Sequence, residues 1–302
     1  MRHTYAVWGL VGLALALMAG SASASESQTA NIDGLQRSWL VHLPPAYKAG
    51  EPMPLLIVYH GRGSSAARME DKFGLDAAAD KAGFIAVYPQ GVDRSWAAGI
   101  GTDADKDGVD DVAFTAALLD KLEAEYSIDQ RHVVLAGFSN GAHMVQLLGC
   151  RLADRISAIV PVSGTLASGL SPGCKPARPV TVIEFHGSAD PIDPYGGGPV
   201  GYHATGDAQP VDQGIEDWAQ RDGCQVRSSV KQVPSDGDPM TAIQRDYLGC
   251  PVGTMVRLYR IEGAGHVWPG GPQYLPQRYI GKATKAVDAD ELIGQLLGGQ
   301  LK

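Results

Sequence analysis

A serine between two glycines stands where a strand pattern gives way to a helix pattern. Ser139 is the centre of a G-x-S-x-G sequence at residues 137–141, which follows the apolar run 133–136. In this context the chain turns sharply and lifts the serine hydroxyl above the end of the sheet, and the N-terminus of the next helix favours negative charge there. The pattern predicts that Ser139 is the nucleophile of an acyl-transfer reaction.

A nucleophilic serine requires a base and an acid that orients the base, and in this kind of fold the acid precedes the histidine. Asp190 comes just after the strand pattern at 180–185 and is the predicted acid, with Asp193 as the alternative. His266 lies in a glycine-rich segment after the strand pattern at 255–261 and is the predicted base. Because parallel strands end at one edge of a sheet, these residues are expected to meet there.

The negative charge that develops on the substrate oxygen needs two backbone N–H donors. One is expected from Asn140, the residue after the nucleophile, and the other from Arg62, in the turn after the strand pattern at 55–59. His60 is expected to brace that turn by hydrogen bonds. The Arg62 guanidinium also predicts a substrate that carries a carboxylate, because charge-assisted pairing with an anion is strong and oriented.

Further side chains near this edge predict contacts with substrate. Three cations that follow the histidine loop are expected to extend a basic rim, with ordinary solvated side chains as the alternative; they are Arg278, Lys282 and Lys285. Four aromatic residues in loops at the same end of the sheet are expected to line a cleft; they are Trp96, Tyr195, Tyr202 and Trp268.

The elements that must position these residues alternate between strand and helix. Strands are expected at 35–43, 55–59, 84–88, 133–136, 158–162, 180–185 and 255–261, and helices at 66–82, 111–125, 141–150, 211–221 and 288–297. Residues 187–210 predict a loop. The alternation predicts an α/β fold with a mostly parallel sheet and helices on both faces, in one domain over 25–302.

Composition excludes several other classes of protein. The chain has 302 residues, 44% of them hydrophobic, so a disordered protein is excluded. The net charge of −8 disfavours a nucleic-acid partner. Residues 103–111 resemble the start of a calcium loop, but Phe114 stands where a bidentate glutamate is expected, so a solvated acidic loop or a helix cap is the alternative. No metal or other cofactor is expected in the reaction.

The N-terminal sequence predicts export, and export to an oxidising compartment implies that the cysteines form disulfides. Residues 1–24 combine Arg2, a short apolar run and a small-x-small cleavage pattern, so they predict a signal peptide with a secreted or periplasmic product and no membrane anchor. An uncleaved anchor is the alternative. Four cysteines in an oxidising compartment predict two disulfides. Of the three pairings, Cys150–Cys174 with Cys224–Cys250 is favoured because both loops stay short.

Four segments, taken in their order along the chain, resemble the motifs of a known family. Residues 60–63, 137–144, 186–191 and 265–271 resemble the motifs of secreted poly(3-hydroxybutyrate) depolymerases and feruloyl esterases. The resemblance implies an α/β-hydrolase fold, a triad of Ser139, Asp190 and His266, and hydrolysis of small or polymeric esters. Arg62 departs from the family pattern, which often has a cysteine or small residue there, and no separate substrate-binding domain is expected. The similar poly(aspartic acid) hydrolases, which cut amide bonds of a polyanion, are the alternative, and a non-catalytic envelope binding protein is a more remote one.

Overall fold

The computed structural model of this chain describes residues 25–201, 206–225, 227–235 and 237–301. The predicted leader at 1–24 and the aromatic residue Tyr202 lie outside the described residues. The strands are β1 (Glu26–Ile32), β2 (Leu35–His42), β3 (Met53–Tyr59), β4 (Ile85–Pro89), β5 (Ile128–Phe138), β6 (Ala158–Val162), β7 (Thr181–Gly187), β8 (Gly198–Pro199), β9 (Asp207–Ala208), β10 (Ser228–Val233), β11 (Thr241–Tyr247) and β12 (Val256–Glu262).

The α-helices lie between strands along the chain or follow the last strand. They are α1 (Ala66–Lys72), α2 (Leu75–Ala82), α3 (Asp103–Lys106), α4 (Asp111–Glu125), α5 (Asn140–Arg151), α6 (Val211–Arg221), α7 (Gln277–Ile280) and α8 (Ala289–Leu297). The single helix predicted over 66–82 is two helices, α1 and α2. Helix α1 ends at Phe73, whose backbone is extended (φ −114°, ψ 148°). The Phe73 ring stacks on Trp268 at 4.8 Å between ring centroids.

The large sheet has the strand order β1-β2-β4-β3-β5-β6-β7-β12-β11-β10. Neighbouring strands from β4 through β12 are parallel, and both edges of the sheet are antiparallel. Tyr59 at the end of β3 pairs with Gly137 on β5, and Phe138 pairs with Val162 on β6. The carboxyl ends of the parallel strands therefore meet at one edge, where ligands bind in sheets of this type.

Helices cover both faces of this sheet and bury two apolar layers. On one face α4, α5 and α6 bury Leu118, Leu148 and Trp218, and on the other face α1 and α8 bury Met69 and Ile293. Burial of each such aliphatic side chain contributes about 1.5–3 kcal/mol of transfer free energy. The sheet is held rigidly between the two layers, so the loops at its carboxyl edge have a fixed base.

All the predicted strands are present. The two-residue strands β8 and β9 lie within the predicted loop at 187–210, and three strands of the large sheet were not predicted either. These are β1, β10 and β11, all antiparallel to their neighbours and close to the edges of the sheet. Every residue of β10 except Val233 is exposed, and β1 is largely exposed as well. Edge strands that face water carry polar residues, so they lack the continuous apolar run that marks a strand buried on both faces.

Two disulfides have the sequential pairing favoured by the sequence. Cys150 at the end of α5 joins Cys174 in the loop before β7, and Cys224 after α6 joins Cys250 after β11. Disulfides of this kind persist in oxidising compartments. Among the helices of the described residues, none has both the length and the apolar character that crossing a bilayer demands.

Candidate active site

Ser139 forms the tip of a tight turn between β5 and α5. Its backbone has φ 57° and ψ −119°, a conformation that residues other than glycine rarely adopt. The flanking glycines make this turn feasible, since a Cβ at Gly137 would lie 2.1 Å from the Gly141 carbonyl oxygen and one at Gly141 would lie 2.1 Å from that of Tyr59. The Ser139 amide donates to the Val162 carbonyl at 2.9 Å. The turn therefore has the geometry that the G-x-S-x-G pattern predicts.

His266 and Asp190 are hydrogen-bonded at the same edge of the sheet. His266 Nδ1 lies 2.8 Å from Asp190 Oδ2, and both side chains are buried. The other carboxylate oxygen, Oδ1, accepts the backbone amides of Ile192 and Asp193, each at 2.8 Å. Burial acts to raise the pKa of Asp190, but the charge and hydrogen bond of His266 outweigh it and hold that pKa below its usual value. An ionised Asp190 fixes the tautomer of His266 with Nδ1 protonated, which leaves the Nε2 lone pair available to accept a proton.

Asp193, the alternative acid, is engaged elsewhere. Its Oδ2 lies 2.6 Å from His143 Nε2, and both side chains are almost completely buried. Burial acts to lower the pKa of His143, but the charge of Asp193 outweighs it and the pKa is raised. Asp193 thus forms a buried ion pair with His143 of α5, whereas Asp190 contacts His266.

Ser139 and His266 line one cavity of about 210 Å³. The described residues around it come from the turn after β3, from α1 and from the loop that carries His266; they are Gly61, Arg62, Gly63, Ser64, Arg68, Met69, Lys72, Phe73, Phe138, Ser139, His266, Tyr274 and Leu275. One wall is apolar and is formed largely by Met69, Phe73 and Tyr274. The cavity therefore brings the predicted nucleophile and base to the same space, next to a surface that suits an apolar substrate group.

The turn after β3 lies directly against Ser139. A Cβ at Gly61 would be 3.3 Å from Ser139 Cβ. Within the described residues, the backbone amides of Arg62 and Asn140 donate to no other protein group. Two unused N–H donors beside a serine turn are what an oxyanion requires.

His60 and Trp96 brace this turn from behind. His60 Nδ1 donates to the Gly61 carbonyl at 2.9 Å, and its Nε2 accepts the Gly91 amide at 3.0 Å. Burial lowers the pKa of His60 to about 4, so the ring is neutral at neutral pH and keeps both contacts. The Trp96 indole donates to the His60 carbonyl at 2.8 Å, and the Asn140 side chain bonds to the Trp96 backbone. Trp96 therefore ties the turn after β3 to the nucleophile turn.

The aromatic residues predicted to line a cleft do not line this cavity. Trp96 and Trp268 are completely buried, and the Trp268 indole donates to Asp290 at 2.8 Å. The Tyr195 hydroxyl donates to Asp212, and its ring lies 4.9 Å from the Arg260 guanidinium carbon. The prediction is wrong for the two tryptophans, because each indole group finds a partner inside the protein and is buried, whereas Tyr195 is half-buried and outside the lining of this cavity. Tyr274 and Phe73, which lack a distinctive sequence signal, line the cavity instead.

The cations beside the cavity also differ from those predicted. Arg278, Lys282 and Lys285 do not line it, whereas Arg68 and Lys72 of α1 do, together with Arg62. The Arg62 guanidinium contacts Asp103 at 3.3 Å, and both side chains are half exposed. The spacing of Arg68 and Lys72, four residues apart on the helix after the turn, was the sequence signal that would have placed them on one face.

A second imidazole lies behind Asp190. His186 Nε2 donates to the Asp193 carbonyl at 2.9 Å and lies 3.8 Å from Asp190 Oδ2. Burial acts to lower the pKa of His186, but its pairing with Glu184 and the charges of Asp190 and Asp193 outweigh burial and raise the pKa to about 9. The Asp190 carboxylate therefore lies between two imidazoles, and only His266 faces the cavity.

The acidic segment at 103–111 does not form a calcium loop in this structure. Asp105 caps α3 by accepting the Thr102 amide at 2.9 Å, and Asp111 pairs with the buried Arg37 at 2.6 Å. Across the part of the chain that the structure describes, no group of three acidic, histidine or cysteine side chains is arranged to hold a metal ion. The helix-cap alternative accounts for the sequence pattern.

Comparison with known proteins identifies relatives with esterase names. A family model described as Esterase PHB depolymerase matches residues 37–185. The chain is 31% identical over 280 residues to the putative esterase NocK of Nocardia uniformis subsp. tsuyamanensis, a match that covers 89% of this chain and 81% of that protein. It is also 31% identical over 242 residues to feruloyl esterase B of Piromyces equi, covering 76% of this chain but only 42% of that protein.

Solved structures with the same fold are esterases as well. An acetyl xylan esterase from Aspergillus awamori gives a TM-score of 0.57 at 12% identity, covering 80% of this chain and 94% of that one. A feruloyl esterase module from Clostridium thermocellum, solved with sinapinate, gives 0.55 at 13% identity, covering 91% and 87%. At these identities the likeness establishes the α/β-hydrolase fold.

The fold and the sequence relatives lead to the same family. The sheet order, the serine turn after β5 and the match to NocK over most of both chains agree with the resemblance seen in the four sequence segments. The chain belongs to the family of esterases that includes the poly(3-hydroxybutyrate) depolymerases and the feruloyl esterases, and it is a serine hydrolase with an α/β-hydrolase fold.

Proposed function

We propose that this protein is an exported esterase that cleaves a carboxylic ester through an acyl-enzyme on Ser139. The observation that carries the proposal is the 2.8 Å bond between His266 and Asp190, with His266 and Ser139 lining the same cavity. A buried carboxylate that orients a histidine beside a strained serine turn is the arrangement that activates a serine hydroxyl.

In the proposed reaction, His266 Nε2 takes the proton of the Ser139 hydroxyl as its oxygen attacks the ester carbonyl. The amides of Arg62 and Asn140 bind the oxyanion, and Asp190 stabilises the imidazolium. The proton then passes to the leaving alcohol as the carbon–oxygen bond breaks, which leaves an acyl-serine. A water molecule, deprotonated by His266, hydrolyses the acyl-serine and restores the enzyme.

The acyl or alcohol part of the substrate is proposed to lie against the apolar wall of Met69, Phe73 and Tyr274. The names of the relatives suggest hydroxyalkanoate or feruloyl esters of extracellular polymers. Export is inferred from the signal-peptide pattern at 1–24 and is consistent with the two disulfides. A single catalytic domain from residue 25 onward is part of the same proposal.

Two measurements test the proposal. A fluorophosphonate probe should label the wild-type protein and the Ser229→Ala variant, whose altered serine is exposed on β10, but not Ser139→Ala. Steady-state rates should then be compared for short acyl esters, feruloyl esters, hydroxybutyrate oligomers and poly(aspartate), with products identified by mass spectrometry. Labelling of Ser139→Ala, or no labelling of the wild type, would overturn the catalytic assignment and favour a binding protein.

Poly(aspartate) is in the panel because three cations line the cavity and because the same machinery cleaves amides when His266 protonates the leaving nitrogen. Turnover of poly(aspartate) without turnover of esters would replace the ester proposal by that alternative. Intact-mass measurement of the exported protein should give a chain that begins near Ser25, and a retained leader would contradict export with cleavage.

A further inference from the structure

The charge on the wall of the cavity is opposite in sign to the charge of the whole chain. The chain carries a net charge of −8. Among the described residues that line the cavity are three cations, Arg62, Arg68 and Lys72, and no aspartate or glutamate. A concave surface with charges of one sign concentrates ions of the opposite sign. The cavity is therefore a local positive region on an acidic protein.

Arg68 and Lys72 have the geometry of a shared anion contact. They stand four residues apart on α1, so they lie on the same face of that helix, about 6 Å apart along its axis. Met69 and Phe73 are buried and fix the helix against the sheet, while the two cations are exposed at the cavity. The spacing allows one carboxylate to contact both side chains.

Neither cation is neutralised by a neighbour. Within the residues that the structure describes, Arg68 and Lys72 form no ion pair. The Lys72 ammonium lies 5.3 Å from the centre of the Tyr274 ring, which itself lines the cavity. Arg62 differs, because it contacts the half-exposed Asp103, which also pairs with Lys106. Arg68 and Lys72 thus keep their full charge for an incoming group.

We propose that Arg68 and Lys72, supported by Arg62, form an anion subsite of the catalytic cavity, and that the preferred ester carries a carboxylate on the part of the molecule that lies along α1. This inference rests on the proposed esterase function. Arginine and lysine together suit a carboxylate, since arginine offers a planar pair of donors and lysine a compact charge. The apolar wall of Met69, Phe73 and Tyr274 binds the part of the substrate between the carboxylate and the ester.

Matched pairs of esters test the subsite. 4-Nitrophenyl hemisuccinate against 4-nitrophenyl butyrate places a carboxylate on the acyl part, and 4-butyryloxybenzoate against 4-butyryloxybenzamide places it on the alcohol part. The readout is the ratio of kcat/KM for the anionic and neutral member of each pair. At least one pair should show a ratio above one in the wild type, and that ratio should fall as sodium chloride is added, because salt screens exposed charges.

Substitutions locate the effect. Arg68→Gln and Lys72→Gln should each lower the favourable ratio about fivefold to tenfold, and the double variant about thirtyfold or more, as expected for charge-assisted bonds that are partly exposed to solvent. Arg278→Gln and Lys285→Gln are the controls, because those cations lie outside the cavity lining. They should leave the ratio within twofold of the wild type.

The possible outcomes separate the subsite from the esterase function. A ratio that changes less than twofold in the double variant, or that falls equally in the two control variants, overturns the subsite. Turnover of both members of a pair by Ser139→Ala overturns the esterase proposal itself. If Ser139→Ala is inactive and the double variant keeps the wild-type ratio, only the subsite fails.

Discussion

The two neighbouring aspartates of the loop after β7 provide the sharpest test of the site, because their isosteric variants are expected to fail in different ways. In Asp190→Asn the amide oxygen can still accept the Ile192 and Asp193 amides, so the loop is expected to stay folded. The amide nitrogen then faces His266 Nδ1 and donates to it. The imidazole proton moves to Nε2, and His266 can no longer accept the serine proton.

The expected loss follows from the geometry. A negative charge 2.8 Å from the imidazolium stabilises it by about 6 kcal/mol at an effective dielectric constant of about 20. At about 1.4 kcal/mol for each tenfold change in rate, that is about four orders of magnitude in kcat. Replacement of the triad aspartate by asparagine in a serine protease costs a similar factor of about 10⁴. The free energy of unfolding should change little.

Asp193→Asn should instead affect stability. It removes the partner that lies 2.6 Å from His143, where both side chains are almost completely buried, and breaking a buried ion pair costs about 3–5 kcal/mol of unfolding free energy. In a domain of this size the melting temperature should fall by roughly 5–15 °C. At a temperature where the variant is folded, kcat should remain within about tenfold of the wild type, since His266 keeps its partner.

Two measurements on both variants decide which aspartate orients His266: the rate on a short acyl ester and the melting temperature. The control is Asp154→Asn, which changes an exposed aspartate. If Asp193→Asn loses more activity per folded molecule than Asp190→Asn, or if Asp190→Asn keeps kcat within tenfold of the wild type, the assignment of Asp190 to the triad is refuted.

Three further predictions concern the brace behind the site and the stability of the fold. Trp96→Phe loses the 2.8 Å bond to the His60 carbonyl and should lower kcat about tenfold with little change in KM in steady-state assays; an unchanged kcat would contradict the bracing role. Burial raises the pKa of Asp222 to about 7, whereas an unfolded aspartate titrates near 4, so native stability should fall as pH rises through 7. The melting temperature of Asp222→Asn minus that of the wild type should therefore be larger at about pH 8 than at about pH 5. A difference in melting temperature that does not change with pH would argue against a protonated Asp222. Replacing both cysteines of either disulfide by serine should lower the free energy of unfolding, measured in urea, by about 3.5 kcal/mol. The value should be similar for the two disulfides because their sequence separations are 24 and 26. A loss below about 1 kcal/mol would contradict the view that each disulfide stabilises the fold by restricting the unfolded chain.

Much of the fold was predictable because its signals are local. Six strands of the sheet are buried on both faces, and such strands must be apolar throughout, so short runs such as 55–59 and 158–162 are visible in the sequence. The serine turn was visible for the same reason, because its geometry excludes side chains at 137 and 141. The edge strand β10, which faces water, has no such constraint and was missed.

Side-chain direction in loops was not predictable. Trp96 and Trp268 lie in glycine-rich segments at the correct end of the sheet, yet both are buried because their indole groups donate to partners 36 and 22 residues away. The basic wall of the cavity was placed on residues 278–285 by closeness to His266 in sequence. Arg68 and Lys72 of α1 line the cavity instead, together with Arg62, which the sequence did place beside Ser139.

By itself the sequence determined the strands that are buried on both faces, the serine turn between β5 and α5 and the residue types that stand at the ends of those strands, since each depends on burial or backbone freedom within a few residues. Only the tertiary structure decided that Asp190 rather than Asp193 contacts His266, that the tryptophans face inward and that α1 supplies the cations. These outcomes depend on where distant groups meet in space, and a side chain in a loop takes the direction that satisfies its polar atoms and fills the available volume.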